Sequence, residues 1–471
     1  MTDKKVCVAV VGAGLVGSLE ACFLAQRGME VHVYDVRADI RQMEHVPGRS
    51  INLAMSVRAL SALSQIGLAD HVKNEYGIPM YARMIHNLDG ATFPIPYGKG
   101  EQCIYSVGRR YVNEILLDKG DTYSNITYHF NHKLLKADLD KPQLIFVRTD
   151  SDNEEKVIVN PDLVIGCDGA YSAVRREMMR KPRFNYSQEY IPHAYMELSV
   201  PPTPDGDFAM PRNYLHIWPR GQFMMIALPN QDRSFTLTLF MPTDTFSSLT
   251  DTESVLQFFN ENFQDSIPLI GQENLVKSYL ENPALPLVSI KCFPYNIGST
   301  AVIMGDAAHA MVPFYGQGMN CGMEDCLVMN DCLNQNPELG VALDEYSKFR
   351  NPDAEAMCDL ALYNYVEMRD LVNKKSFLLR KKFDNFLHWM FPNKWVPLYT
   401  SVTFSRMRYH ECILNKDWQD STITRIFSVG GLTGLLAVYL ASKHFTGTAQ
   451  LLQDVGLNLL HRIQRLQAIW F

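Results

Sequence analysis

Three glycines, Gly12-x-Gly14-x-x-Gly17, directly follow the apolar run KVCVAVV with the spacing a chain needs to approach a phosphate group. The first permits a tight turn, the second lets a pyrophosphate reach the backbone, and the third lets a helix pack closely on the strand. Unpaired N–H groups at the start of that helix then face the phosphates with the positive end of its dipole. Asp35 ends the next apolar run, MEVHVYD, 18 residues after Gly17, where a carboxylate can hold ribose hydroxyls. A bare GxGxxG recurs by chance. Its place between strand, helix and strand, with the acid in position, points to a dinucleotide and leaves little weight for Asp35 as a solvated turn residue.

Two further segments carry chemistry-bearing residues. Cys167-Asp168-Gly169 closes the run DLVIG and is followed by AYSAVRR; on its own it is also what a structural turn before a helix looks like. GDAAHAMVPFYGQGMN, from Gly305 to Asn320, places Asp306 just after an apolar strand, where open α/β sheets bind ligands. Pro313, Gly316 and Gly318 make a stiff loop, and Met319 begins a helical stretch whose N-terminus favours negative charge, as on a reduced flavin ring. Asp306 could equally be an N-cap, and His309 reads as a packed, hydrogen-bonded histidine rather than a catalyst.

These segments must be held by a parallel sheet whose strands come from three distant places, near residues 6–11, 162–169 and 300–309. The chain between them therefore makes an excursion. Residues 185–290 show period-two alternation in SFTLTLFMP, and YLHIWP and QFMMIALP flank a turn at Arg220–Gly221, so an inserted antiparallel sheet is expected. After residue 318 the pattern is helical. The expected fold class is α/β: a Rossmann-type dinucleotide-binding domain, residues 1–184 with 291–340, an inserted antiparallel β-sheet substrate domain, residues 185–290, and a C-terminal helical region. Residues 341–424 of that region would close the substrate pocket, and 425–471 would form a membrane-anchoring tail.

Composition removes several classes. The 471 residues are too many for one small core, and 47% hydrophobic with 20% charged residues is ordinary globular usage. A formal net charge of −7 offers no footprint for nucleic acid. The ten cysteines are scattered without a C-x-x-C, so neither a metal site nor a disulfide framework is expected and a reducing compartment fits. No secretory signal is read at the N-terminus. Near the other end, IFSVGGLTGLLAVYLAS, residues 426–442, runs 17 residues without a formal charge, at the lower limit for crossing a bilayer. A buried helix is the plain alternative. Basic flanks at Arg425, Lys443, Arg462 and Arg465, and a position beyond the last motif, favour a membrane.

In this order the three glycine- and aspartate-bearing motifs resemble the single-component flavoprotein aromatic hydroxylases built like p-hydroxybenzoate hydroxylase. No second GxGxxG is present, as suits a class in which NADPH binds only briefly. GRSINLAMS (48–56), ARMIH (82–86), IPYG (95–98), KPRFNYSQEYIPHAYMEL (181–198), YLHIWPR (214–220), LYNYVEMR (362–369) and PLYTSVTFSRMRYHE (397–411) resemble the kynurenine 3-monooxygenase family, from residue 6 to about 412.

The resemblance implies tightly bound FAD and transient NADPH, with the flavin itself carrying the chemistry and no catalytic side chain. It implies O2 and L-kynurenine as substrates and 3-hydroxy-L-kynurenine as product, through a flavin C4a-hydroperoxide. Arg83 and Tyr97 would hold the amino-acid carboxylate, with Asn364 and Tyr399 completing the pocket. Besides Gly12, Gly14, Gly17 and Asp35, it places Val16, Tyr34, Val36, Arg37, Ala54, Arg109, Asp168, Asp306, Gly318, Met319 and Asn320 at the cofactor. A guanidinium grips a carboxylate bidentately, although an isolated arginine is more often solvated and Tyr97 beside Pro96 could simply close a turn. A mitochondrial outer-membrane location, catalytic part facing the cytosol, is also implied.

Overall fold

The computed structural model describes residues 5–44, 52–98, 102–151 and 155–444. Val8, Val10 and Val11 give the strand Cys7–Val11 β-branched side chains on both faces, which suits a sheet covered on both sides. Six strands pair around it in the order Asn296–Ile297, Ala301–Ile303, Leu163–Gly166, Cys7–Val11, Glu30–Tyr34, Ile126–His129. All pairings are parallel except the first. One cross-sheet row reads Val302, Ile165, Val10, Val33, and all four are almost wholly buried. Each such side chain contributes about 1.5–3 kcal/mol by leaving water. The helix Leu15–Gln26 crosses from the first strand to the second, as the opening glycine motif requires.

A second, seven-stranded sheet has the order Leu285–Phe293, Asn185–Val200, Phe235–Pro242, Phe223–Pro229, Tyr214–Arg220, Ala82–His86, Thr92–Pro96. Trp218, Phe235, Leu237 and Leu239 of this sheet form a core with Phe258, Phe259, Phe263 and Tyr279. The last two strands come from the stretch assigned by sequence to the FAD-binding part. Ala82–His86 runs parallel to Tyr214–Arg220 and carries Arg83 into this second sheet. The alternation signal fails here because Pro94 and Pro96 interrupt the neighbouring run; an edge strand tolerates them.

The chain divides into two compact units. One comprises Met1–Asp370 with Thr403–Arg406, and the other Leu371–Val402 with Met407–Phe471. Both sheets and the helices Gly318–Gln335 and Leu339–Arg369 belong to the first. The second contains the helix Lys375–Met390, most of the short helix Leu398–Phe404 and the long helix Tyr409–His444. That last helix runs unbroken through residues 424–425, where the sequence suggested a boundary.

The expected membrane-anchoring tail gains no support from a spanning helix: among the described residues no helix is long and apolar enough to cross a membrane. The 17 uncharged residues make only about 25 Å of helix against a hydrocarbon core of roughly 30 Å. The preceding turns of the same helix carry Glu411, Lys416, Asp417, Asp420 and Arg425. The remainder of the expected tail, with Arg462 and Arg465, lies outside the described residues.

Candidate active site

The glycine turn is built as its spacing demands. Gly12 sits at φ +105°, and a Cβ there would strike the backbone carbonyl of Cys167. A Cβ on Gly17 would run into the carbonyl oxygen of Gly12. Gly14 by contrast faces open space, with nothing within 4 Å of where a Cβ would stand. The helix starting at Leu15 has no side-chain cap, so its first N–H groups point out beside that opening. A closely packed turn with one open glycine and an uncapped helix end fits a pyrophosphate.

Asp35 is buried, and its carboxylate accepts from Ala13 N at 2.8 Å and from Arg37 N, Nε and Nη2 at 2.8, 3.0 and 2.9 Å. Burial alone would raise its pKa, but the bonds from Arg37 and Ala13 outweigh burial and hold it below the ordinary value. The Arg37 side chain is half exposed, so the buried Asp35 carboxylate is covered by a solvent-facing guanidinium. Tyr34 offers the site only backbone: its carbonyl accepts from Gly12 N, while its ring stacks on His129 and Phe146 in the core. Val36 is exposed beside them.

Asp168 turns out to serve its own chain. Its carboxylate accepts from Ser172 Oγ and from Ala173 N and Val174 N, bracing the start of the helix Ala173–Met178, whose N-cap is Ser172. That is the structural-turn alternative noted from sequence. Asp306 differs: it follows Gly305 (φ +59°) and is exposed, while Ala307, Ala308 and His309 after it are buried. Val16 packs on Gly305 and Gly322, joining the glycine turn to this loop. Gly318 begins the helix Gly318–Gln335, and Met319 is buried in its first turn. Asn320 braces the loop, accepting from Ser56 N and Oγ and donating to the carbonyls of Ala54 and Gly316, all at 2.8–2.9 Å. Arg109 is exposed at a helix start, and its charge partly offsets the burial that raises the pKa of Glu197.

Beneath this loop lies an ionic network that sequence did not reveal. Arg58 donates to both oxygens of Glu324 at 2.8 Å, and Arg350 Nη1 reaches Glu324 Oε2 at 3.1 Å. Arg350 Nε donates to Asp325 Oδ1, and His309 Nε2 and Gly305 N meet Asp325 Oδ2 at 2.6 and 2.8 Å. Every member is almost fully buried. Burial would push His309 toward neutrality, but Asp325 overrides it and holds the imidazolium well above its ordinary range. Burial likewise acts to raise Asp325, and His309 and Arg350 outweigh it. His309, Cys321 and Asp325 place ligand atoms within 4.8 Å of one another. Arg350 donates to both Asp325 and Cys321 Sγ, so its guanidinium fills the position a cation would need.

Of the substrate-site expectations, the first unit brings three together. Arg83 is 2% exposed on the strand Ala82–His86, opposite Ile95, and Tyr97 is two residues further along the same face of the partner strand. Arg83 Nη1 is engaged by Glu367 Oε1 at 3.0 Å. Asn364, one turn before Glu367, donates to the Phe314 carbonyl at 2.8 Å, and its Oδ1 is buried without a hydrogen-bond partner. Phe314 stacks on Tyr365 with centroids 3.7 Å apart and meets Phe240 at a tilt, giving a cluster of three aromatic rings. Tyr399 belongs to the second unit, on the helix Leu398–Phe404.

Comparison with known proteins agrees with this geometry. The FAD binding domain family matches residues 5–361. Kynurenine 3-monooxygenase of Anopheles gambiae is 54% identical over 95% of this chain and 92% of its own. The enzymes of that name from Sus scrofa and Caenorhabditis elegans are 50% and 46% identical over 93% and 91% of this chain, and 92% and 96% of theirs. The chain belongs to the kynurenine 3-monooxygenase family. As a member it is an FAD-dependent monooxygenase. Its fold is shared by solved oxygenases at 18% identity. Tetrameric 2-methyl-3-hydroxypyridine-5-carboxylic acid oxygenase gives a TM-score of 0.63 over 78% of this chain and 93% of that one. PqsL of P. aeruginosa gives 0.62 over 78% and 97%. The family's FAD suits the open Gly14 cradle and the exposed Asp306 described above.

Proposed function

We propose that the protein hydroxylates L-kynurenine ortho to its ring amino group, consuming NADPH, a proton and O2 and yielding 3-hydroxy-L-kynurenine, NADP⁺ and water. The observation that carries this reading is a buried guanidinium, Arg83, on an apolar aromatic sheet face in a chain up to 54% identical to enzymes of that activity. Bound FAD supplies the chemistry that activates O2.

The protein's own residues do the rest. The turn Gly12–Gly17 and the uncapped start of the helix Leu15–Gln26 take the pyrophosphate, and Asp35, released from Arg37, takes ribose hydroxyls. Asp306 stands open to the polar chain linking phosphate and ring. Arg83 and Tyr97 anchor the substrate carboxylate, and Asn364 Oδ1 accepts an N–H. Phe240, Phe314 and Tyr365 form an apolar wall for the aryl ketone and exclude water from the reacting face. No general acid–base pair is needed, since the electron-rich aminophenyl ring supplies the nucleophile.

Attachment to the mitochondrial outer membrane through the C-terminal segment, catalytic part facing the cytosol, completes the reading. The uncharged run 426–442 and its basic flanks support it. The deciding assay is kynurenine-dependent NADPH oxidation by FAD-loaded protein, with product and peroxide quantified together. Product equal to NADPH consumed supports the assignment, and a yellow protein unresponsive to kynurenine refutes it. Membrane fractionation of the full chain tests the location: recovery in the soluble fraction removes it.

A further inference from the structure

The guanidinium expected to take the substrate carboxylate already has a carboxylate on it. Arg83 and Glu367 meet at 3.0 Å with side chains 2% and 12% exposed, bringing together residues 284 apart in the chain. An arginine side chain keeps its charge in proteins, so Arg83 and Glu367 balance each other as a pair. A ligand carboxylate arriving at Arg83 puts two anions around one cation where little water can screen them, and an unpaired buried charge is strongly unfavourable.

We propose that Glu367 is the third charged member of the subsite for the amino-acid head, and that it ties ligand binding to proton uptake whenever the ligand brings no cation of its own. This rests on the reading of Arg83 as the carboxylate anchor. A zwitterionic α-amino acid restores balance by itself: its carboxylate takes Arg83, and its ammonium takes Glu367, released from the arginine. Asn364, one helical turn before Glu367 and therefore on the same face, holds a buried acceptor without a partner for another N–H of that ammonium. A ligand with the carboxylate but no amine leaves two anions and one cation. One proton from solvent then converts a carboxylate to the neutral acid, as when two carboxyl groups share a site.

Neighbouring ionisable groups do not supply that proton. Tyr365 is pushed up to about 12, chiefly by burial. His193 is held below its ordinary value by burial and by Arg369, which engages it at 3.3 Å and covers the Tyr365 ring. Tyr97 is a buried phenol on the same sheet face as Arg83.

The test is calorimetric binding to the FAD-loaded full chain, with L-kynurenine and 3-(2-aminobenzoyl)propionic acid, in two buffers of contrasting ionisation enthalpy at neutral pH. Kynurenine should bind with almost no net proton exchange, and the propionate with uptake approaching about one proton per site. Glu367→Gln should abolish the uptake and weaken kynurenine at least about tenfold relative to the propionate. Equal proton numbers for the two ligands on the unsubstituted protein overturn the proposal, whatever the variant does. Uptake that survives in Glu367→Gln, with FAD absorbance retained, also overturns it. Failure of kynurenine to bind removes the Arg83 reading and this inference together; hydroxylation of kynurenine with equal proton numbers removes only the inference.

Discussion

Asp325→Asn should be the most revealing single change outside the substrate subsite. Asp325 has no exposed surface and receives Arg350 Nε, His309 Nε2 and Gly305 N, so one carboxylate pairs with His309 and with an Arg350 it shares with Glu324, and fixes the turn that presents Asp306. An amide offers one acceptor and sets an N–H₂ against the remaining donors. Breaking a buried pair costs about 3–5 kcal/mol because a charge is left uncompensated. The pH dependence fixes the sign. Asp325 is held below its unfolded value, so its contribution is present above about pH 4 and lost as pH falls through the lowered folded value. His309 is held well above its unfolded value, so its contribution is complete below about pH 6.5 and lost as pH climbs through the raised one. The variant deficit should therefore be largest between these limits and shrink in alkali, where His309 would be neutral in both proteins. Thermal release of FAD, followed by flavin fluorescence from pH 5 to 9, reads it directly, with FAD affinity measured alongside. A deficit below about 1 kcal/mol at pH 6, or one flat across the range, refutes the account of the network.

Other changes probe the remaining assignments. Gly17→Ala places a methyl against the Gly12 carbonyl and should lower FAD retention at least about tenfold by absorbance; normal flavin content would contradict the close-packed turn. Arg83→Ala removes a charge-assisted anchor of about 1.5–3 kcal/mol, so KM for kynurenine should rise roughly 10–150-fold with FAD content unchanged. Glu20 is fully buried, with Oε2 unpartnered and its pKa pushed up to about 8, chiefly by burial. An acid raised in this way favours the fold at low pH and weighs against it as pH climbs from about 4.5 to 8. Glu20→Gln should therefore stabilise by roughly 3 kcal/mol at pH 7 and by almost nothing at pH 4 in denaturant titrations.

Local signals made the FAD half legible. Gly12, Gly14 and Gly17 are a short-range stereochemical requirement, and the parallel strands are near-continuous apolar runs, so both can be read within ten residues. The second sheet was read from the alternation of Phe235–Pro242, but its members at residues 82–96 were not, because a pairing between Ala82–His86 and Tyr214–Arg220 leaves no local trace. Asp168 carries the expected motif, and its spacing alone did not reveal that its carboxylate also accepts from Ser172 Oγ and from Ala173 N and Val174 N of the next helix. The ionic network and Glu367 were beyond sequence for a different reason. Arg58 and Glu324 are 266 residues apart, and each alone looks like an ordinary surface charge on a helix. Nothing in the spacing of such residues says that the fold will bury them together.

The interleaving of the parallel sheet has a consequence during synthesis. Leu163–Gly166 pairs on one side with Cys7–Val11, yet its other neighbour, Ala301–Ile303, follows 135 residues later. At ordinary elongation rates of about 5–20 residues per second that edge stays open for roughly 7–27 s. Arg350, which locks the loop between the two halves, emerges later still. Throughout this interval the nascent chain presents Val164 and Ile165 on an unpaired parallel edge, the kind of surface that recruits foreign strands. A ribosome stalled between residues 170 and 300 would therefore display a sticky half-sheet that no amount of flavin can seal, and the antiparallel sheet being made in that window is the nearest object able to shield it.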